Sequence, residues 1–222
     1  MRAADGQRMT LSFLNPTDAL IFRITHRDNL PWILDYGFHS KSSHMLDPNF
    51  RRIGDLDLID KRSRRKVPAG PGGTLSDYIP FYFTPLSMMA YNIHTGHRGI
   101  EQVPNDDLVI FVSALSRMST FGLFFAFTDR HAYLATAQYF TDLGHLDATN
   151  WPILQNRDFK TDSEDPGKTD EYQAEALVWK HLPVDALLGI CGNTPRVQQQ
   201  IEKELTRRGL TVKAYAKEDW YF

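Results

Sequence analysis

The sequence predicts an α+β fold. Six or seven short apolar or alternating segments are typical of strands, and segments with helix caps lie between and around them. Their spacing is too irregular for the regular strand–helix alternation of a doubly wound sheet. The 222 residues are enough for one sizeable domain and too few for two, so we expect a single domain over residues 1–222.

The first half of the chain contributes strands, capped helices and a glycine-rich loop. Residues 19–25 are predicted to be the first strand. Asp28 can cap a helix over residues 29–36, and Gly37 suits the left-handed residue that ends a helix. The later elements predicted here are a helix over 55–66, a loop over 67–74, a strand over 79–83, a short helix over 87–94 and a strand over 108–113.

The second half contains a long irregular stretch between predicted elements. A strand is predicted over residues 124–127, and a helix begins at Asp129 and runs to about residue 143. Residues 149–171 are polar and irregular, and so long a loop inside a compact domain is usually functional or mobile. The elements predicted after it are a strand over 172–179, a strand over 187–191, a helix that Thr194 caps, Pro195 begins and Gly209 ends, and a strand near 211–215.

Composition excludes several classes of protein. The net charge is −2 and the pI is near 6.4, so any binding of nucleic acid must come from a local basic patch. Cys191 is the only cysteine, which excludes an intramolecular disulfide and a cysteine-based zinc site. The N-terminal segment lacks the apolar stretch of a signal peptide, and no apolar run is long enough to cross a membrane. We therefore expect a cytoplasmic protein.

The strand predicted over residues 172–179 begins with two polar side chains. Alternation along a strand would place Gln173 and Glu175 side by side on one face, before an apolar continuation. A carboxylate that enters a core costs several kcal/mol unless it is paired or used. Glu175 is therefore either an acidic residue at the sheet edge or a catalytic carboxylate, and the pattern leaves both interpretations open.

A basic cluster spans residues 61–66, where five of six side chains are cationic. It is explained by a solvated helix end, where cations suit the helix dipole, or by a nuclear-localisation patch. It is also explained by phosphate binding, and the glycine-rich loop that follows favours a clamp over a ligand.

Other sequence motifs give little sign of metal or nucleotide chemistry. His94 and His97 have the spacing of two metal ligands on a helix, but Gly96 argues against a helix there and no third ligand is evident. The chain has no Walker loop, no dinucleotide fingerprint and no nucleophile elbow. We therefore expect no metal.

The chain resembles the DarT family of toxin DNA ADP-ribosyltransferases. The segments that carry the resemblance are RITHRDNL at 23–30, KR at 61–62 through VP at 67–68, GGTLSDYIPFYF at 72–83, FTDRH at 127–131, YQAE at 172–175 and DWYF at 219–222. The glycine-led block and the YQAE segment are specific when they occur together in this order. One departure is Ser76, where family members often carry a histidine, so no role is assigned to that side chain.

The resemblance implies an ADP-ribosyltransferase fold, in which split antiparallel sheets and flanking helices surround a cleft for NAD. It also implies that Glu175 is the catalytic glutamate and Arg62 its essential partner. Residues 46–61 would fold over the dinucleotide, and residues 156–172 would present the target base. The implied cofactor-binding residues are Arg23, Ile24, Thr25, Asn29, Gly54, Arg62 and Tyr82. The implied DNA-binding residues are Tyr78, His131, Arg65, Arg157, Lys160, Tyr172 and Gln173.

The implied function is that of a toxin enzyme of a toxin–antitoxin system. It would transfer ADP-ribose from NAD, its co-substrate, onto a base of single-stranded DNA in a sequence-dependent way and release nicotinamide. Thymine is the preferred base and guanine the alternative. A macrodomain antitoxin that reverses the modification is the implied protein partner. A metal-dependent nuclease and a non-catalytic single-strand-binding module are the alternatives from other classes.

Overall fold

The computed structural model describes residues 10–222, and its strands form one large sheet and one small one. The strands are β1 Leu20–His26, β2 Phe38–His39, β3 Tyr78–Tyr82, β4 Leu108–Ala114, β5 Phe125–Thr128, β6 Tyr139–Phe140, β7 Glu175–Trp179, β8 His181–Leu182, β9 Gly189–Gly192 and β10 Lys213–Ala216. Eight of them form a sheet in the order β10-β9-β4-β1-β3-β7-β5-β6, and β2 pairs with β8.

Seven α-helices flank these strands. They are α1 Leu30–Tyr36, α2 Leu56–Arg62, α3 Met88–Thr95, α4 Leu115–Thr120, α5 Trp151–Gln155, α6 Lys168–Glu171 and α7 Pro195–Arg207. Short 3-10 helices occupy Arg27–Asn29, Leu75–Asp77, His97–Gly99, Asn105–Asp107, Leu143–Ala148, Val184–Ala186 and Glu218–Trp220. The predicted cap of α7 is confirmed, since the Thr194 side chain accepts a hydrogen bond from the backbone N–H of Val197.

The large sheet is split between β1 and β3. β1 pairs with β4 at seven positions but with β3 only where Phe22 faces Tyr82. Pro80 explains the gap, because it has no N–H and its carbonyl faces β1, where it accepts a hydrogen bond of 2.7 Å from the Arg23 guanidinium. Every strand pair is antiparallel except β9 with β10. The expected α+β fold with split antiparallel sheets is confirmed.

The apolar core lies against both faces of the sheet. All seven residues of β4 are buried, as expected for a central strand that is covered on both sides. Helix α7 packs on β9 and β10 through Val197, Ile201 and Leu205, which recur at every fourth position.

The helix predicted from Asp129 to about residue 143 is wrong. Most of this stretch is irregular, and it contains β6 and the start of a 3-10 helix. Two aspartates compete for backbone donors: Asp129 accepts from the N–H of Gln138, and Asp142 accepts from the N–H of Gly144. Such side chain–backbone bonds offer the chain an alternative to helix.

Two other boundaries differ from the prediction. Strand β7 begins at Glu175, because the N–H groups of Tyr172 and Gln173 donate to carbonyls of α6 and continue a helical turn. Gln173 is therefore not beside Glu175 on a strand face. Helix α2 ends at Arg62, several residues earlier than predicted, and Lys66 instead pairs with Thr74 across the base of the glycine-rich loop.

Candidate active site

Glu175 lies at the first position of β7, and its carboxylate is fully buried in an ion pair with Arg62. The pair is bidentate, with Nη1 2.8 Å from Oε1 and Nη2 2.6 Å from Oε2. Burial alone would raise the pKa of Glu175, but the charge and hydrogen bonds of Arg62 outweigh it and hold the pKa below its usual value. The carboxylate is therefore ionised at neutral pH.

The segment around β5 and β6 fixes the orientation of Glu175. The N–H of Ala132 donates to Oε1 at 3.0 Å, and the Tyr139 hydroxyl donates to the carbonyl of the same Ala132. Thr128 Oγ accepts from the N–H of Glu175 at 3.1 Å and donates to the carbonyl of Arg130 at 2.6 Å. These bonds hold both the main chain and the carboxylate of Glu175 in one geometry.

His131 is buried beside the ion pair. Its Nδ1 lies 3.5 Å from Oε1 of Glu175 and accepts a hydrogen bond of 3.1 Å from the N–H of Tyr133. Burial lowers the pKa of His131, so the ring is neutral at pH 7. Since Nδ1 is an acceptor, the ring proton sits on Nε2, which makes His131 a hydrogen-bond donor to whatever approaches it.

Tyr82 on β3 and Arg23 on the adjacent strand β1 lie near the ion pair, at the one position where β1 and β3 pair. Tyr82 is the cross-strand partner of Glu175, and burial raises its pKa to about 12. Burial lowers the pKa of Arg23 to about 10, and its Nε has no hydrogen-bond partner among the described residues. Arg62 bonds to Glu175, and its charge contributes to the lowered pKa of Arg23, so two guanidiniums lie near one carboxylate and the excess positive charge suits a diphosphate.

The other predicted cofactor residues act less directly. The Ile24 side chain packs in the core, and Thr25 is buried as well, so neither side chain lines the cleft. Asn29 is also buried, and its amide is used by Thr25 and by the main chain of Arg51. Gly54 lies on a cavity of about 470 Å³, and its φ of 86° is a conformation that favours glycine.

Two of the residues predicted to contact DNA, Tyr78 and Tyr172, have buried side chains. Tyr78 is 2% exposed and its hydroxyl donates to the carbonyl of Gly72 at 2.9 Å, so its ring supports the glycine-rich loop. Tyr172 is 1% exposed and its hydroxyl donates to the carbonyl of Leu86 at 2.9 Å. Neither ring has a free face on which a base can stack.

The remaining predicted DNA contacts are spread along the surface near the site. Arg65 donates to the carbonyl of Leu134 at 2.8 Å, and Gln173 donates to the carbonyl of Thr169 at 3.0 Å. Arg157 lies 6.0 Å from the centre of the Phe222 ring, and Lys160 is exposed. Of the seven predicted contacts, only His131 is placed against the catalytic pair.

Thr128, Ala132 and Tyr139 are the site residues that the sequence did not single out individually. Thr128 lies in the FTDRH segment, which is part of the resemblance. Ala132 contacts Glu175 through its main-chain N–H, and Tyr139 contacts only the main-chain carbonyl of Ala132, so their side chains gave no signal in the sequence. Over residues 10–222, no three His, Cys, Asp or Glu side chains are grouped so that they could hold a metal ion. No helix in that range combines the length and the apolar character needed to cross a membrane.

Comparisons with known proteins agree on one family. The family model described as "ssDNA thymidine ADP-ribosyltransferase, DarT" matches residues 22–222. The chain is 49% identical over 209 residues to the DNA ADP-ribosyl transferase of Escherichia coli O127:H6 (strain E2348/69 / EPEC), an alignment that covers 94% of this chain and 96% of the relative.

Two solved structures of the DarT of Thermus sp. 2.9 are also similar. The complex with ADP-ribosylated ssDNA has a TM-score of 0.85 and 33% identity, and the match covers 93% of this chain and 98% of that one. The complex with NAD+ has a TM-score of 0.80 and 32% identity, over 92% and 98% of the two chains. On these grounds the chain belongs to the DarT family and is an ADP-ribosyltransferase of thymidine in single-stranded DNA.

Proposed function

We propose that Glu175 and Arg62 form the catalytic centre of this enzyme and that NAD donates the ADP-ribose. The observation that carries the proposal is the buried bidentate ion pair, which presents an ionised carboxylate at the edge of a positively charged cleft. The NAD+ complex of the Thermus DarT supports NAD as the donor.

The chemistry fits these two side chains. The bond between C1′ of the ribose and the nicotinamide nitrogen breaks, and nicotinamide leaves as a neutral molecule with the bonding electrons. The ribose becomes oxocarbenium-like, and a carboxylate can stabilise that charge while a free lone pair orients the 2′-hydroxyl. A ring nitrogen of the base then bonds to C1′ and releases its proton to solvent water.

Arg62 acts as a cation in this scheme. Burial acts to lower the pKa of Arg62, but the carboxylate of Glu175 outweighs burial and raises the pKa above its usual value. The guanidinium is therefore charged throughout the neutral range. It can hold the diphosphate of NAD together with Arg23 while it keeps Glu175 in place. Gly54 and the residues that follow it would cover the dinucleotide, and Tyr82 would face the reacting ribose.

The acceptor is a base that has left its stack. A ring nitrogen inside a duplex cannot reach C1′, which favours single strands. His131 would donate its Nε2 hydrogen to a carbonyl oxygen of the base, since its Nδ1 already accepts from the N–H of Tyr133. Lys160 is exposed, and together with the partly exposed Arg65 and Arg157 it would contact the phosphates, while Gln173 would lie beside the entering strand.

The biological setting follows from the product. ADP-ribosylation of DNA is harmful to the cell that makes the enzyme. We therefore propose that the enzyme works as a toxin and that a macrodomain antitoxin removes the ADP-ribose. Its action would be cytoplasmic, where NAD and DNA are both present. We also propose that residues 1–222 form one catalytic domain.

The test uses labelled NAD and two single-stranded oligonucleotides that are identical except that every thymine of one is replaced. We expect label only on the thymine-containing strand, and mass spectrometry of the product should place ADP-ribose on that base. Glu175→Gln removes the charge but keeps the shape, and it should lose about 10³-fold in rate or more while NAD still binds. Label on the strand without thymine, or full activity of Glu175→Gln, would refute the assignment.

A further inference from the structure

Residues 51–62 form a strap beside the catalytic cleft. None of its side chains is buried, although the helix α2 lies within it. Among its side chains only the partly buried Ile53 packs against the apolar core, so apolar packing contributes little to the position of the strap. The strap is fastened by polar contacts near its two ends: Arg62 pairs with Glu175, and the main chain of Arg51 is bound by Asn29.

The bond between Asn29 and Arg51 imitates a strand pair. Asn29 Oδ1 accepts from the N–H of Arg51 at 2.7 Å, and Asn29 Nδ2 donates to the carbonyl of Arg51 at 2.9 Å. The second hydrogen of Nδ2 goes to Thr25 Oγ1 at 2.9 Å. Asn29 itself is fully buried, so its amide holds the N–H and the carbonyl of Arg51 against the end of β1.

The space beside this end of the strap can take part of a ligand. A cavity of about 470 Å³ lies between residues 51–57 and residues 98–103, and Arg51, Arg52 and Arg98 are among the residues that line it. The strap runs from this cavity to the catalytic ion pair at Arg62. A dinucleotide that reaches from Glu175 to the cavity would therefore lie along the strap.

We infer that Asn29 is a positioning residue for NAD, which it serves by anchoring the strap through the Arg51 peptide and without touching the dinucleotide itself. The inference rests on the proposed function, since it takes NAD as the ligand of this cleft. Without this anchor the strap is less ordered before NAD binds and must become ordered during binding. The free energy of this ordering weakens NAD binding and leaves the reaction of bound NAD unchanged.

The experiment compares Asn29→Asp and Asn29→Ala with the wild-type enzyme. Both variants should raise the KM for NAD by about tenfold, as expected for the loss of a buried hydrogen bond, with kcat and the KM for the oligonucleotide nearly unchanged. Asn29→Asp adds a signature: its acid form can again donate to the Arg51 carbonyl. The KM for NAD of this variant should therefore fall as the pH is lowered, whereas that of Asn29→Ala should stay high.

Asn105→Asp is the matched control, because the Asn105 amide also donates to a main-chain carbonyl, that of Phe222, but far along the chain from the strap. It should leave the KM for NAD at the wild-type value. Trypsin gives a readout that does not need activity: cleavage after Arg51 and Arg52 should be faster in both Asn29 variants and slowed by NAD. An equal effect of Asn105→Asp, or a fall in kcat with an unchanged KM for NAD, would overturn the inference.

Two outcomes need separate measurements. If neither Asn29 variant folds, hydrogen exchange on the wild-type protein decides: the Arg51 amide should be protected and the amides of residues 52–54 should exchange fast until NAD is added. Rapid exchange of the Arg51 amide would overturn the inference. If the wild-type enzyme modifies no oligonucleotide, the proposed acceptor fails, while NAD binding by calorimetry and the trypsin assay still test Asn29.

Discussion

Glu175 shows how far single residues can be interpreted without a structure. The residue pattern left Glu175 open between an acid at the sheet edge and a catalytic carboxylate, and only the family resemblance named Arg62 as its partner. The roles of Thr128 and Ala132 could not be predicted from the sequence. Thr128 bonds to the main chain of Glu175, and Ala132 bonds to the Glu175 carboxylate through its own main chain. Tyr78 was assigned to DNA, since the sequence does not distinguish a buried aromatic ring from a stacking surface.

The titration of buried histidines predicts how stability depends on pH. Burial lowers the pKa of His26, His39 and His131 below the usual 6.5, so the unfolded chain takes up these protons first as the pH falls. Stability is therefore full above about pH 6.5 and is lost as the pH drops toward the folded-state pKa values. Glu175 adds a further loss below its usual pKa of 4.5, since its folded-state pKa is lower.

His131→Gln should make the acid side of this profile shallower. One fewer proton is taken up on unfolding, which reduces the slope by at most about 1.4 kcal/mol per pH unit. Denaturant titrations from pH 7.5 to pH 5 on both proteins measure the slope. A wild-type slope in His131→Gln would show that this ring does not contribute.

At the scale of elements, the errors have one cause. The segment 172–179 alternates as a strand should, yet Tyr172 and Gln173 belong to the turn that follows α6, because local backbone bonds satisfy their N–H groups first. The stretch after Asp129 fails as a helix for the same reason, since aspartate side chains take the backbone donors. Caps with a strong local signal, such as Thr194 before α7, were predictable.

The loop that leads to Glu175 contains its own clamp. Lys168 is almost buried and its Nζ lies 3.1 Å from Asp158 and 3.4 Å from Asp162. The hydrogen bond to Asp158 is the main cause that raises the pKa of Lys168, so the ammonium is charged. Residues 156–171 carry three basic and six acidic side chains, a net charge of −3, which opposes DNA unless the acids are held together.

We predict that Lys168→Met weakens binding of a thymine-containing strand by about tenfold, because the loop loses a charge-assisted hydrogen-bond network. Lys160→Met removes the same charge from an exposed position of this loop. It should weaken binding less and reduce the salt dependence, whereas Lys168→Met should leave the salt dependence unchanged. In a background of Asp158→Asn and Asp162→Asn, Lys168→Met should have little further effect. If both lysine variants lost the same DNA affinity, the effect of Lys168 would be one of charge alone and not of the hydrogen-bond network.

At the scale of the whole molecule, the split of the sheet connects sequence to function most directly. Pro80 removes the N–H that β1 would need, and Arg23 fills the gap with its guanidinium. Pro80 thus accounts for a missing ladder hydrogen bond between β1 and β3. The fold class followed from the order and spacing of segments, but the pairing of β1 with β3 did not, because pairing is decided by residues far apart in the chain.

The charge of the whole molecule predicts an unusual dependence of DNA binding on salt. With a net charge of −2 and a pI near 6.4, only a few local cations such as Arg65, Arg157 and Lys160 can meet phosphates. About three contacts on a single strand give a slope of about −2 for log K against log salt concentration.

Fluorescence anisotropy with Glu175→Gln, which binds without turnover, measures this slope on thymine-containing and thymine-free strands. The slope should be the same for both strands, because phosphates are shared, while the affinity should be higher for the strand with thymine. A slope of about −5 or steeper would mean that phosphate contacts, and not the base in the pocket, dominate recognition.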